Sequence, residues 1–436
     1  MKVVKVGLLG LGTVGGGTVN VLAKNGADIS RRCGCEIIVS SASARDITRP
    51  RICETDGIQL TTTPEDIIND PDIQIIVELM GGEEPAKSLI LKALSNGKHV
   101  VTANKALIAN HGNELFAVAE KHNVTLAYEA AIAGGIPIVK AMREGLSANS
   151  IEWLAGIING TGNFILTEMR DKGSAFADVL KEAQELGYAE ADPEYDVEGI
   201  DAAHKLCILA SLAFGMPLDF KSVYTEGIST ITPLDVTYAE ELGYRIKHLG
   251  VARKTDKGVE MRVHPTLIPE KRLIANVDGV MNAVVVKGNA VGSTLYYGPG
   301  AGAEATASAV IADIVDICRQ LDAPSDSAVP ALGFATDQLK ALPIVPIEEI
   351  ITAYYLRLSV EDKPGVMAAI TTILGNNGIS IEAVQQKEPE QHGASAQVIL
   401  LTNSVVEKSM LIALAQIETL DSVNQPAIRI RVESLQ

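Results

Sequence analysis

Asp201 and Lys205 lie four residues apart in a segment dense with acids: Leu186-Gly187-Tyr188-Ala189-Glu190-Ala191-Asp192-Pro193, then Asp196 and Glu198, then Gly199-Ile200-Asp201-Ala202-Ala203-His204-Lys205. On a helix, residues i and i+4 share a face. At a surface such an ion pair contributes little. The run after Lys205, from Leu206 to Ala213, is apolar almost all round, which predicts a largely buried helix. A charge pair placed there costs desolvation, and that points to function. A partly buried lysine can serve as general base or general acid for a hydroxyl proton. Carboxylates opposite it can hold a substrate ammonium. Loss of hydride and proton from an amino-acid alcohol fits this set.

The hydride needs an acceptor. Gly10-Leu11-Gly12-Thr13-Val14-Gly15 matches the pattern G-x-G-x-x-G between a predicted strand and a predicted helix, the context a dinucleotide fingerprint requires. The glycines allow a tight turn and close approach of backbone to a pyrophosphate, and the helix N-terminus offers free N–H groups to it. The bland alternative is a glycine turn with no ligand. An acid at the end of the second strand would indicate NAD; here the strand ends Ser41-Ala42-Ser43-Ala44-Arg45-Asp46. Arg45 can hold a 2′-phosphate, so NADP is expected over NAD. Alternatively Arg45 pairs with Asp46 or faces solvent. A further lysine, Lys105 in Val101-Thr102-Ala103-Asn104-Lys105, follows a predicted strand at the edge where open α/β sheets bind ligands. By position alone, a solvated loop lysine is an equal reading.

The elements that must position these groups follow from periodicity. Strands are expected at residues 2–9, 36–43, 73–79, 99–102 and 125–129, alternating with helices from the glycine turn to about Asn25, at 85–95 and at 112–121. That alternation predicts a parallel sheet. Residues 135–150 read as helical and 151–158 as a strand, followed by helices near 174–186 and 199–214. Strands at 259–268 and 280–288 belong to a different, mixed or antiparallel sheet, and an amphipathic helix spans 304–322. The Pro-bearing stretch at 342–346 reads as linker. The last 80 or so residues follow the order βαββαβ, the ferredoxin-like pattern, as a separate unit.

Composition sets outer bounds. With 436 residues and 47% hydrophobic against 21% charged, the chain can build two or three ordinary domains. A net charge of −17 and the lack of a basic stripe argue against nucleic acid. No apolar stretch reaches membrane-spanning length. The five cysteines, Cys33, Cys35, Cys53, Cys207 and Cys318, lack metal-site spacing and are expected as free thiols, in keeping with a cytoplasmic protein.

Taken together, five segments closely resemble the homoserine dehydrogenase family, in the form with a C-terminal ACT domain: residues 7–19 (GLLGLGTVGGGTV), 101–109 (VTANKALIA), 130–138 (AAIAGGIPI), 156–169 (GIINGTGNFILTEM) and 186–206 (LGYAEADPEYDVEGIDAAHKL). The resemblance implies an α/β protein with three parts and interconversion of L-homoserine and L-aspartate 4-semialdehyde with NAD(P)(H), in threonine, isoleucine and methionine synthesis. The parts are a Rossmann-type nucleotide-binding domain at 1–130, completed by helix 304–322, a catalytic and dimerisation domain at 131–335, and an ACT domain at 353–436 after a linker at 336–352. By resemblance Lys205 is the proton donor/acceptor, Glu190 and Asp201 bind substrate, and Asp196 is an acid near the reacting centre. Lys105 touches cofactor and substrate, and cofactor contacts extend to Leu11, Thr13, Val14, Arg45, Gly187 and Gly302. The resemblance also implies a monovalent cation, sodium, at Glu129 and the carbonyls of Ile132, Gly134 and Ile136. Asn159 to Asn163 either shapes the substrate pocket or caps the next helix. The ACT unit, with Asp362-Lys363-Pro364-Gly365-Val366 and Asn377-Gly378-Ile379-Ser380-Ile381, is expected to bind L-threonine as feedback effector, or else to be a purely structural dimer-forming module; in either case a homo-oligomer, dimer or tetramer, is expected. An amino-acid sensor with a vestigial dehydrogenase domain would have lost Lys205, Asp201, Glu190 or Lys105, and all are present.

Overall fold

The computed structural model describes residues 1–321, 329–387 and 395–436. They form two compact units, each discontinuous in sequence: residues 1–160, 201–223 and 280–342 in the first, and 161–200, 224–279 and 343–436 in the second.

The first unit opens with β1 (Lys2–Leu9), α1 (Thr13–Cys33), β2 (Cys35–Ser43), β3 (Gln59–Thr61), α2 (Pro64–Asn69), β4 (Ile75–Glu78), α3 (Ala86–Ser95), β5 (His99–Thr102), α4 (Lys105–Lys121) and β6 (Leu126–Ala127). The strands pair in the order β3-β2-β1-β4-β5-β6, every pairing parallel. This is a Rossmann-type sheet. Its near-continuous apolar strands reflect burial on both faces. Helix α4 begins seven residues before the expected start at 112, because Asn104 caps it by accepting from the Leu107 N–H at 3.1 Å. Gly112, which resembles a helix boundary in the sequence, is a packing residue inside α4: a Cβ there would lie 2.5 Å from Leu218 Cδ1.

After β6 comes a 3₁₀ turn at Glu129–Ala131, then α5 (Ile138–Lys140) and a π turn at Ala141–Gly145. Of the helix expected over 135–150, only 138–145 is helical; the Gly134-Gly135 pair and Pro137 delay its start, and it ends in the π turn. Then follow β7 (Ile151–Ile157), α6 (Gly160–Lys172), α7 (Phe176–Glu185), α8 (Glu194–Val197), α9 (Ile200–Phe214), β8 (Tyr224–Thr225), α10 (Pro233–Glu241), β9 (Tyr244–Thr255), β10 (Gly258–Pro269), β11 (Met281–Gly288), β12 (Gly292–Pro299) and α11 (Ala303–Gln320). In the first unit β11 pairs antiparallel with β7 and β12. Helix α11 packs its Ala309, Val310, Ile314 and Ile317 against Val4, Val6, Val77 and Val101 of the parallel sheet. Each such buried aliphatic side chain contributes roughly 1.5–3 kcal/mol. The expected last residue of this helix, 322, lies outside the described residues. Strand β9 has no counterpart in the sequence reading because Lys247 and His248 interrupt its apolar pattern. Both are buried; the Lys247 ammonium is satisfied by the Val277 carbonyl at 2.7 Å and Asp278 at 3.0 Å.

The chain closes with β13 (Ile351–Val360), α12 (Val366–Asn376), β14 (Ile381–Gln386), β15 (Ala396–Thr402), β16 (Val405–Val406), α13 (Glu407–Ile417) and β17 (Ile428–Val432). The antiparallel order β17-β13-β15-β14, with α12 and α13 packed on one face through Ile370, Leu374, Met410 and Ile417, is the ferredoxin-like fold read from the sequence. Edge strand β17 pairs in parallel with β10, Thr266 opposite Arg431 and Leu267 opposite Val432, so the sheet runs on into the 224–279 segment of the same unit. Arg431 is buried at that seam. It donates to Glu407 at 2.7 and 2.9 Å and to Glu226 at 2.8 Å. Among the described residues no helix is long and apolar enough to cross a membrane.

Candidate active site

The predicted buried helix exists: α9 carries Asp201 and Lys205, respectively 5% and 9% exposed. Lys205 Nζ donates to Asp201 Oδ2 at 2.6 Å and to the Ile158 carbonyl, just past the end of β7, at 2.7 Å. The other carboxylate oxygen, Asp201 Oδ1, lies 3.2 Å from Lys105 Nζ. Asp201 thus bridges two lysines brought from the first turn of α4 and the second turn of α9. Asn159 Nδ2 adds a hydrogen bond to Asp201 Oδ2 at 2.9 Å. Burial opposes ionisation of Asp201, but Lys205 and Lys105 beside it, with the hydrogen bonds from Lys205 and Asn159, hold its carboxyl well below the ordinary carboxylate range. His204, between them in sequence, stacks on Phe220 with ring centroids 4.1 Å apart, and burial lowers its pKa.

Asn159 joins the Asp201 cluster, whereas Asn163 Nδ2 donates to the Val277 and Gly279 carbonyls, both at 3.0 Å, and has a structural role in the second unit. Glu190, Gly187 and Asp196 also belong to the second unit. Glu190 is exposed on the loop after α7, with its carbonyl accepting from Gln184 Nε2 at 3.0 Å. Gly187 ends α7, its N–H donating to the Gln184 carbonyl at 3.1 Å, and Asp196 lies in α8.

The fingerprint turn has the geometry its glycines predict. Gly10 sits at φ +109°, and a Cβ there would stand 2.8 Å from the Leu79 carbonyl oxygen. At Gly15 a Cβ would come 2.3 Å from the Gly10 carbonyl oxygen. Gly12, by contrast, has open space where a Cβ would be, and as N-cap of α1 it brings no side-chain hydrogen bond to the first turn. Thr13 is exposed there, Val14 half-buried and Leu11 buried. Bare helix N–H groups beside an open glycine suit a pyrophosphate, so the residues fit a dinucleotide. Gly302 caps α11 in the same way, without a side-chain bond. Arg45 is exposed just past β2. The Asp46 carboxylate is taken by Thr48, whose N–H and hydroxyl donate at 2.8 and 2.6 Å. Arg51 was not anticipated: its Nη1 donates to the Leu11 carbonyl at 3.0 Å, and its Nη2 to the Asp46 carbonyl, tying the loop after β2 to the glycine turn. Nothing in the sequence pattern distinguishes it from Arg45 or Arg49.

At the expected cation site, the Glu129 carboxylate is buried and accepts from the Val139 and Lys140 N–H groups at 2.9 and 2.8 Å. Burial raises its pKa. Ala133 and Gly134 are consecutive left-handed residues, at φ +52° and +50°, in the Ile132–Ile136 segment, and the Ile136 carbonyl accepts from the Ile138 N–H at 2.8 Å. A carboxylate and backbone carbonyls are oxygen donors, the ligand type a hard cation takes.

Comparison with known proteins finds relatives along the whole chain. Residues 10–129 match the NAD-binding-domain model of homoserine dehydrogenase, 137–315 the homoserine dehydrogenase model and 354–421 the ACT-domain model. Homoserine dehydrogenase of Pseudomonas aeruginosa is 60% identical over 436 residues, and that of Neisseria gonorrhoeae 56%, each over 100% of both chains. The crystal structure of a homoserine dehydrogenase from Thiobacillus denitrificans superposes with a TM-score of 0.94 at 59% identity, over 100% of this chain and 99% of that one. A hyperthermophilic archaeal homoserine dehydrogenase in complex with NADPH matches 72% of this chain and 97% of its own, at a TM-score of 0.60 and 26% identity. Likeness this close over the full length leaves one conclusion: the chain belongs to the homoserine dehydrogenase family, in the form that carries a C-terminal ACT domain.

Proposed function

We propose that this chain interconverts L-homoserine and L-aspartate 4-semialdehyde, with Lys205 moving the hydroxyl proton and NADP(H) preferred over NAD(H). The observation that carries the reading is Asp201 bridging Lys205 and Lys105 inside a buried helix face. A nicotinamide held at the Gly10–Gly15 turn would supply the hydride acceptor for the alcohol carbon. In its neutral amine form Lys205 takes the hydroxyl proton at Nζ as the carbonyl forms, and the resulting ammonium returns it in reduction. Asp201 orients that Nζ and, with Glu190, provides carboxylates for the substrate ammonium. Asp196 is the further acid near the reacting centre. Gly10 to Gly15, with Gly187 and Gly302, approach the cofactor by backbone, and Lys105 meets it beside the substrate.

Other parts of the reading rest on the same family membership. Arg45, exposed and not paired with the carboxylate that follows it, supports NADP, as does the NADPH complex of the archaeal relative. Glu129 with the carbonyls of Ile132, Gly134 and Ile136 would hold sodium. The ACT domain takes L-threonine as feedback effector, the protein works as a cytoplasmic homo-oligomer, and the step serves threonine, isoleucine and methionine synthesis. The domain limits 1–130, 131–335 and 353–436 mark functional segments within this reading.

A spectrophotometric assay tests its centre. Homoserine-dependent reduction of NADP⁺ should appear in wild type and fall at least 100-fold in Lys205→Ala, the usual scale of general acid–base catalysis (about 10²–10⁴). Full activity in that variant removes Lys205 from the reaction. In Arg45→Ala the NADP⁺ KM should rise about tenfold while the NAD⁺ KM stays within about twofold. A parallel rise in both would discard Arg45 as the 2′-phosphate ligand.

A further inference from the structure

Glu78, the last residue of β4, is 0% exposed and lies in the middle of the parallel sheet, between β1 and β5. No ion pair to it occurs among the described residues, yet donors surround it. The Thr102 hydroxyl donates to Oε2 at 2.7 Å and the Met80 N–H to Oε1 at 2.7 Å. The Gly81 N–H and the Asn104 amide face it as well. Burial raises its pKa, and these four donors pull against that rise. A carboxylate is the side chain that accepts from all four; a glutamine would turn an NH₂ toward some of them. A buried acid without a countercharge is costlier than an apolar residue of the same size, so packing alone does not account for it.

What Glu78 joins is specific. On one side is the Leu79–Gly82 backbone, which passes the fingerprint: the Leu79 N–H donates to the Leu9 carbonyl at 2.8 Å, and the Leu79 carbonyl is the atom a Cβ on Gly10 would strike. On the other side is the start of α4. The Thr102 hydroxyl accepts from the Asn104 N–H at 3.0 Å, Asn104 Nδ2 donates to the Gly82 carbonyl at 2.6 Å, and Asn104 caps the helix whose first residue is Lys105. Both loops lie at the carboxyl ends of neighbouring parallel strands, where open α/β sheets bind ligands.

We infer that Glu78 is a positioning residue for the nicotinamide nucleotide: its carboxylate sets the Met80–Gly82 backbone and Lys105 at the spacing the bound cofactor requires. The inference rests on the dehydrogenase reading and names a residue for which the fingerprint gives no sign. Replacing the carboxylate removes the one acceptor through which both loops are held to each other.

The test uses the full-length protein with Glu78→Gln and, separately, Thr102→Val, which removes one donor of the same net. NADPH affinity is read directly from cofactor fluorescence, alongside the thermal midpoint and the KM for each substrate. The expected result for Glu78→Gln is an NADPH Kd raised about tenfold and a lowered kcat, with the homoserine KM within about threefold of wild type; Thr102→Val should weaken NADPH binding by a smaller factor. A lowered thermal midpoint with unchanged NADPH affinity in both variants overturns the inference. Should Glu78→Gln not fold, Thr102→Val decides alone, and wild-type affinity in it overturns the inference. Failure of the wild type to bind NADPH or NADH would instead overturn the dehydrogenase reading.

Discussion

At the scale of single residues, the Asp201 carboxylate organises the cluster. One oxygen faces Lys105, and the other serves Lys205 and Asn159 together. Asn159 makes no ionic contribution, so its role is to keep Asp201 Oδ2 turned toward the Lys205 ammonium. Asn159→Ala should therefore lower kcat/KM about tenfold, on the order of one buried hydrogen bond to a charged group, with little change in thermal midpoint. Steady-state kinetics beside a melting curve check this; unaltered kinetics would make Asn159 a bystander. Asp201→Asn should cost more, because it removes the buried charge that Lys205 and Lys105 share.

At the scale of elements, two contacts depend on single positions. Helices α1 and α11 meet where a Cβ on Gly17 would come within 2.4 Å of the Ala303 carbonyl oxygen. Gly17→Ala must push α11 away from α1 and should destabilise the first unit by about 1–3 kcal/mol, measurable by denaturant unfolding. The second contact is the seam between β10 and β17. Arg431 and Glu407 are both buried there, and Tyr354 donates a further hydrogen bond to Glu407 at 2.6 Å. Arg431→Met strips Glu407 of its main partner and leaves Glu226 without the donor at 2.8 Å. A loss of about 3–5 kcal/mol follows for such a broken buried pair, and urea unfolding of the two forms measures it. A loss below about 1 kcal/mol would show that Arg429, 2.8 Å from Glu407, replaces it.

At the scale of the whole molecule, stability should depend on pH through buried histidines. Burial drops His248 from 6.5 to about 4 in the folded chain, and His264 shifts the same way. Between those two values the unfolded chain binds the proton and the folded chain does not. The contribution of His248 is thus fully present above about pH 6.5 and is lost as pH falls toward 4, by up to about 3 kcal/mol. Raised carboxyls such as Glu78 act in the opposite sense, so the informative quantity is a difference between variants. Unfolding free energies of wild type and His248→Gln at pH 7.5 and pH 5 should diverge at the higher value and converge at the lower. Parallel curves would remove His248 as a source of acid sensitivity.

Local pattern made much of this protein legible from its sequence. The fingerprint between β1 and α1, the alternating parallel elements, the βαββαβ order and the Asp201–Lys205 face of an apolar helix all follow from spacing and periodicity, which adjacent residues carry themselves. Pattern misled where buried polar groups had distant partners and where glycine or proline shaped the backbone. Lys247 and His248 hid β9, and the Gly134-Gly135 pair with Pro137 delayed the helix expected over 135–150 to 138. Gly112 resembled a boundary although it packs on Leu218. Only the tertiary structure brought Lys105 within 3.2 Å of Asp201 and Asn159 within 2.9 Å of the same carboxylate, set the four donors around Glu78, and joined β17 to β10. A charge or an amide acquires its meaning from what folding places beside it, and that partner is often a hundred residues away in the chain.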